Sequence, residues 1–134
     1  MTSPTYELEL RGNDPTGHGY YGAKRGNRSH NGVDIVTVPD EIIVAPFSGV
    51  ITKIGQVYVD PAKFKYIEIT SDIYRTRIMY AKGKNIKVGQ RIMEGAHIGT
   101  AQDIAGHWGG GMTNHVHMEV WKYKLRTDPE PLIT

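Results

Sequence analysis

The sequence predicts an all-β fold: a single domain, mostly antiparallel, built as a sheet sandwich or partly open barrel with long loops framing a groove. Three observations carry this. Short apolar or alternating runs recur from Val33 to Tyr123, turn residues separate them, and no window of about a dozen residues carries a helical stripe. Glycine is abundant, at 16 of 134 residues, and falls mainly between the runs, where it marks turns.

In chain order, residues 1–28 form a loop-rich extension expected to pack on the body, all of 1–134 being one domain. Within it Tyr6–Leu10 alternates and predicts a short strand. Gly17–Gly22 and Gly26-Asn27-Arg28 read as ordered loop whose tyrosines supply packing surface. Strands are then predicted at Val33–Val38, Ile42–Val44, Gly49–Ile54, Tyr66–Thr70, Arg77–Tyr80, Arg91–Ile92, His97–Gly99 and Val116–Tyr123. Pro39-Asp40, Pro46, Asp60-Pro61, Lys82-Gly83, Val88-Gly89 and Gly95 punctuate them. Ile104–Thr113, with Gly109-Gly110-Gly111, reads as a mobile loop entering the last strand, a place where sites are often framed.

Composition narrows the function. A chain of 134 residues suits one core. A net charge of +2 is too weak to indicate a nucleic-acid partner, and basic and aromatic residues do not alternate as a single-strand platform needs. No apolar run approaches the roughly 18–20 residues of a membrane span. Cysteine is absent, which removes disulfides, thiolate metal sites and a cysteine nucleophile. Met1–Tyr6 lacks the basic start and apolar segment of a signal peptide, so a role outside the cell implies a delivered or excised domain.

The chemistry concentrates in two segments. In Asn114-His115-Val116-His117-Met118-Glu119, the branched and aromatic continuation favours a strand, whose period of two places His115 and His117 on one face. Neutral imidazole is the commonest protein metal ligand. In His30-Asn31-Gly32-Val33-Asp34, the glycine allows a bend that can aim His30 and Asp34 at one point. Asp34 lies inside an apolar run, where an unpaired carboxylate is costly and a cation is a fitting partner. His30, Asp34 and one histidine of the 115/117 pair make two imidazoles and one carboxylate. Three N/O ligands with a vacant position are the donor set of a catalytic zinc, whereas calcium and magnesium prefer oxygen. The other histidine then stands beside the metal, able to orient a water or stabilise an oxyanion.

These segments, with Val44-Ala45-Pro46-Phe47-Ser48-Gly49-Val50, Ile86-Lys87-Val88-Gly89-Gln90-Arg91-Ile92 and Gly95-Ala96-His97-Ile98-Gly99 between them, resemble the lysostaphin/LytM-type zinc metallopeptidases in content and order, from about residue 28 to Asp128-Pro129. The resemblance implies a β endopeptidase domain of the duplicated-hybrid-motif kind. It implies Zn2+ on His30, Asp34 and His117, with His115 as the catalytic histidine that does not bind metal. The implied substrate is a peptide of bacterial peptidoglycan, met in an extracellular or periplasmic setting.

One motif departs. The family carries a further catalytic histidine in Tyr-x-His, and here Tyr80-Ala81-Lys82 puts Lys82 in its place. That substitution, with the Gly-x-Tyr and Arg-x-His-x-Gly-Val-Asp lead-in, resembles the leukocyte cell-derived chemotaxin-2 branch, whose members keep zinc and act as secreted signalling proteins. Lys82 can serve as an electrostatic stabiliser of an oxyanion, or be a solvated turn residue. Two functions compete: a zinc endopeptidase of peptidoglycan, and a catalytically impaired zinc-binding module with a signalling or wall-binding role. Around the site, Glu119 is a candidate partner for His117, Tyr80 for the site edge, Arg25 and Arg28 for a substrate carboxylate, and His107 for a replacement donor. His97 is expected on the surface, and Trp108 and Trp121 in packing.

Overall fold

The computed structural model describes residues 1–26, 28–59 and 63–134, so Asn27 of the Gly26–Arg28 loop and the Asp60-Pro61 turn lie outside the described residues. Two small hairpins come first, β1 (Asn13–Asp14) with β2 (Gly17–His18) and β3 (Lys24–Arg25) with β4 (Arg28–Ser29). Then follow β5 (Val33–Val36), β6 (Ile42–Val44), β7 (Gly49–Gln56), β8 (Lys65–Thr70), β9 (Tyr74–Met79), β10 (Ala81–Gly83), β11 (Arg91–Ile92), β12 (His97–Ala101), α1 (Ala105–Trp108), β13 (His115–Lys122), β14 (Leu125–Thr127) and α2 (Glu130–Ile133).

The main sheet runs β11-β7-β8-β9-β13-β14, with β5 also on β13, and a second sheet runs β10-β12-β6. Every pairing is antiparallel, and none of the sheets closes into a barrel. This is the expected all-β domain. Among the described residues no helix is long and apolar enough to cross a membrane.

Strand β13 is the organising element. One edge pairs with β9; the other is shared, His115–Met118 with β5 and Val120–Lys122 with β14. Its alternation is clean. Val116, Met118 and Val120 are fully buried and pack in the core with Ile35, Ile67 and Ile78, while His115, His117, Glu119 and Trp121 leave the other face. Burying each of those three core side chains contributes about 1.5–3 kcal/mol.

Several boundaries differ from the sequence reading. Tyr6–Leu10 is not a strand: the Ser3 and Thr5 hydroxyls bond each other, that of Thr5 also donates to the Glu7 carbonyl, bending the chain, and only Leu10 bridges to Ile35. The predicted strand Arg77–Tyr80 is instead β9, Tyr74–Met79, because Tyr80 adopts φ 67 and breaks the pleat. Ile104–Thr113 holds the helical turn α1, whose leading amides, Ile104 and Ala105, donate to the Asn114 side chain. The N-terminal residues bond to the body, Thr2 N–H to the Pro46 carbonyl and Val44 N–H to the Pro4 carbonyl.

Gly32 shows why β5 can approach β13. A Cβ there would lie 2.2 Å from the Met118 carbonyl oxygen, a backbone atom with little freedom to move. Gly32→Ala is therefore expected to cost about 3 kcal/mol, the upper range for overpacking, and to lower the thermal midpoint by roughly 10 °C. Differential scanning calorimetry of the two proteins checks this; an unchanged midpoint would contradict the contact.

Candidate metal centre

Asp34 pairs in register with His117, so the β5–β13 ladder itself sets carboxylate beside imidazole. Val33 and Ile35 point into the core, which turns Asp34 toward the opposite face, although it remains only 2% exposed. His30 reaches the same point from the turn before β5. The three ligand atoms form a tight triangle: His117 Nδ1 to Asp34 Oδ1 is 2.9 Å, His30 Nε2 to His117 Nδ1 is 3.0 Å, and His30 Nε2 to Asp34 Oδ1 is 3.1 Å. Tetrahedral zinc, with bonds of about 2.0–2.1 Å, would set its ligands roughly 3.3 Å apart.

The outer nitrogen of each ring is tied down. His30 Nδ1–H donates to the Tyr20 carbonyl at 2.9 Å, leaving Nε2 to face the cluster. His117 Nε2–H donates to Glu119 Oε2 at 3.0 Å, leaving Nδ1 inward. His115 Nδ1–H donates to the Thr113 carbonyl at 2.7 Å, and its Nε2 lies 3.5 Å from Asp34 Oδ2. Such partners fix tautomer and ring orientation before any ligand arrives.

The charges follow from the geometry. Burial works against the His117 cation, but the hydrogen bonds and charges of Asp34 and Glu119 outweigh it and push its pKa up to about 9. Burial also opposes ionisation of Asp34, yet the bonds from His117 and His30 hold it well below the usual carboxylate range. His115 goes the other way: burial dominates and lowers its pKa, so the ring is neutral, with a lone pair on Nε2. Two imidazole nitrogens and one carboxylate oxygen converging in a buried, cation-favouring spot fit a divalent metal of zinc's preferences.

Arg11 is the participant that the sequence reading missed. Its guanidinium, on a residue 4% exposed, bonds Asp34 Oδ2, and it is held from behind by Asp14 at 3.0 Å, Thr16 at 2.9 Å and the Gly17 carbonyl at 2.7 Å. Asp34 thus uses one oxygen for the cluster and one for Arg11. Only the spacing of Arg11 and Asp14, flanked by turn residues, hinted at this.

A cavity of about 380 Å³ opens over the cluster, its walls including Arg11, Arg25, Arg28, Tyr58, Tyr80 and Met79. Arg25 bonds the His18 carbonyl at 2.6 Å and stands 3.9 Å from Asp34. The Tyr80 hydroxyl pairs with that of Tyr58 at 2.6 Å, and its ring meets His115 edge-on. Burial, then the Tyr58 bond, raises the Tyr80 pKa, so its phenol stays protonated.

The fold thus brings together His30, Asp34, His115 and His117, with Glu119 and Tyr80 beside them. It does not bring in Lys82. That residue is exposed at the middle of β10, between buried Ala81 and half-buried Gly83, and does not line the cavity. His107 is likewise exposed, its ring against Phe64 and Trp108 rather than in the cavity. His97 is on the surface as expected, bonded to the Tyr6 hydroxyl.

Residues 28–129 match the family model described as Peptidase family M23. The chain belongs to peptidase family M23. This M23 chain is 30% identical over 112 residues to mouse leukocyte cell-derived chemotaxin-2, a match spanning 83% of the chain and 72% of that protein. Its fold is that of the catalytic domain of lysostaphin from Staphylococcus simulans, with a TM-score of 0.64 at 23% identity over 86% of this chain and 88% of that one. A zinc-containing peptidase from Vibrio cholerae shares the fold too, with a TM-score of 0.62 at 20% identity, over 95% of this chain and 39% of that one. Membership therefore assigns a metallopeptidase-type domain, to which the His30–Asp34–His117 cluster corresponds in chemistry.

Proposed function

We propose that the chain is a zinc-dependent endopeptidase of bacterial peptidoglycan peptides, working outside the cytoplasmic membrane. The observation that carries this is the set of inward-facing donors, His30 Nε2, Asp34 Oδ1 and His117 Nδ1, with the neutral His115 beside them in an open cavity. Bound at those three atoms, zinc would supply Lewis-acid polarisation of a peptide carbonyl and lower the pKa of a water.

The chain's own groups do the rest. His115 Nε2 accepts a proton from the attacking water and returns it to the departing amine, since Nδ1 is committed to the Thr113 carbonyl. The Tyr80 hydroxyl, kept protonated by burial, is a donor at the cavity wall for an oxyanion. Arg11 holds Asp34 by one oxygen and keeps the other aimed inward. Arg25 and Arg28 offer positive charge to the substrate from the rim.

A second reading has its own support. Lys82 stands where the Tyr-x-His histidine would be, is exposed and is not part of the cavity lining, and the chain is 30% identical to leukocyte cell-derived chemotaxin-2. In that reading the same three residues hold zinc for stability, and the domain binds a wall or protein partner without turnover.

Incubating zinc-loaded protein with purified wall fragments separates the two. New amine ends by mass spectrometry, reduced about 10²–10⁴-fold in His115→Ala with zinc retained, are the expected result. Intact fragments that co-sediment with the protein would favour the binding module.

A further inference from the structure

The face of β13 that carries the cluster continues past Glu119 to Trp121, and the neighbouring strands continue it sideways. Across β9, His117 lies opposite Met79, Glu119 opposite Arg77 and Trp121 opposite Arg75; across β14, Trp121 lies opposite Arg126. These are rows of side chains on one surface. Along a strand, the four residue steps from His117 to Trp121 span about 13 Å.

The rows differ in what they leave unsatisfied. In the middle row the charges are paired: Glu68, 2% exposed, takes Arg77 at 2.8 Å and Thr52 at 2.7 Å, and Glu119 takes His117, while Arg77 Nε, which lacks a hydrogen bond, is itself buried. In the far row they are not. The Arg75 and Arg126 guanidiniums lie 4.2 Å and 4.9 Å from the Trp121 ring centroid, approaching from the strands on either side. Their nearest carboxylates, Glu68 at 3.9 Å and Glu119 at 3.7 Å, are too far for hydrogen bonds, and both side chains are about one-third exposed. Among the described residues neither guanidinium makes a hydrogen bond. Two forks of N–H donors, held by stacking on one indole, are thus presented without an acceptor.

Beside them opens a second cavity, of about 620 Å³, walled by Ile73, Tyr74, Arg75, Trp121, Tyr123 and Lys124, with Asp72 its one acid. Tyr123 and Lys124 both adopt positive φ, 48 and 69, in the β13–β14 turn, and the Tyr123 N–H is pinned to the Ile73 carbonyl at 2.9 Å. Neither residue favours that conformation, and the turn keeps Lys124 on the cavity wall.

We propose that the sheet face from His117 to Trp121 binds an extended peptide whose carboxylate sits between Arg75 and Arg126, about four residues from the metal-binding cluster. Backbone and small side chains cross the middle row, whose charges are already paired, and the anionic group finds the row whose free donors are exposed. The inference rests on the peptidase reading for what happens at the cluster, but the carboxylate site stands on the far row alone. The carboxylate can come from a chain end or from an acidic side chain; the recognition chemistry is the same.

The test uses the full chain, with and without zinc, and three peptides: acetyl-pentaalanine with a free C-terminal carboxylate, its C-terminal amide, and that amide with glutamate as the fifth residue. Binding is followed by NMR at the Trp121 indole N–H. At least one carboxylate peptide is expected to bind about tenfold or more tightly than the plain amide, as charge-assisted hydrogen bonds allow. Which of the two does so identifies the source. The double variant Arg75→Gln/Arg126→Gln should lose that preference while keeping its zinc and its thermal midpoint. Arg75→Lys/Arg126→Lys, which retains charge without the fork, should keep part of it.

Equal binding of carboxylate and amide, a preference that survives the glutamine variant, or no shift at Trp121 with any peptide would overturn the proposal. Failure of the peptidase reading looks different: no peptide is cleaved, yet the carboxylate preference remains.

Discussion

Asp34→Ala is expected to abolish high-affinity zinc binding and to destabilise the metal-free protein by about 3 kcal/mol. Both effects come from one carboxylate with two duties. Oδ1 closes the triangle with His30 and His117, and Oδ2 receives Arg11. Without Asp34, two imidazoles remain and the donor set falls below the three that a catalytic zinc site uses. Arg11 meanwhile keeps Asp14, Thr16 and the Gly17 carbonyl but loses its most buried partner. Leaving a buried charge without its counter-ion costs about 3–5 kcal/mol, and the surviving Asp14 contact places this case at the low end. Competition with a chromogenic chelator reads the first effect and urea denaturation of the apo protein the second. An Asp34→Ala protein that holds zinc as tightly as its parent would remove Asp34 from the ligand set; one that loses zinc but not stability would leave Arg11 without the importance given to it here.

Why some of this was legible in the sequence and some was not follows from how far each signal reaches. The placement of His115 and His117 on one face needs only the period of a strand, and the burial of Val116, Met118 and Val120 fulfils it. Asp34 between Val33 and Ile35 announces a buried carboxylate for the same local reason. Arg11 could not be found that way, because its contact with Asp34 depends on the residues on either side of the Asn13–His18 hairpin, Arg11 and Gly19, both bonding the Asp34 backbone.

Strand β14 was missed for a different reason. Its turn is Tyr123-Lys124, two residues at positive φ with neither the glycine nor the asparagine that marks such hairpins. Lys82 shows the limit of reading by motif position. The left-handed Tyr80 ends β9, and β10 then restarts with Ala81 facing inward, which sends Lys82 to solvent. Trp121 looked like a packing residue, and only the register of β9 and β14 reveals the two arginines on it.

Zinc uptake is expected to tighten about tenfold per pH unit from pH 6.5 and to level off near 9, a gain of roughly 150–300-fold, with one proton released per ion below the upper limit. The group responsible is His117. In the metal-free protein its pKa is raised from 6.5 to about 9, since Asp34 and Glu119 outweigh the cost of burying its cation. At neutral pH the proton that it holds toward Asp34 Oδ1 is on Nδ1, the atom that faces the cluster. An incoming ion must displace that proton, so rising pH favours the ion. For the apo fold the sign is opposite. A raised folded-state pKa contributes stability that is complete below 6.5 and is lost as pH climbs toward 9. His115, whose pKa is lowered by burial, contributes stability present above 6.5 and lost as pH falls below it. Metal-free protein should therefore be less stable at pH 9 than at pH 6.5, while zinc-loaded protein should not, because the ion takes the place of the Nδ1 proton beside Asp34 and the Nε2 proton stays on Glu119. Titration calorimetry in buffers of different ionisation enthalpy counts the protons, and chelator competition across the range gives the affinity. A zinc affinity flat from pH 6.5 to 9 would mean that His117 enters the site already deprotonated, and that Glu119 and Asp34 do not govern its charge.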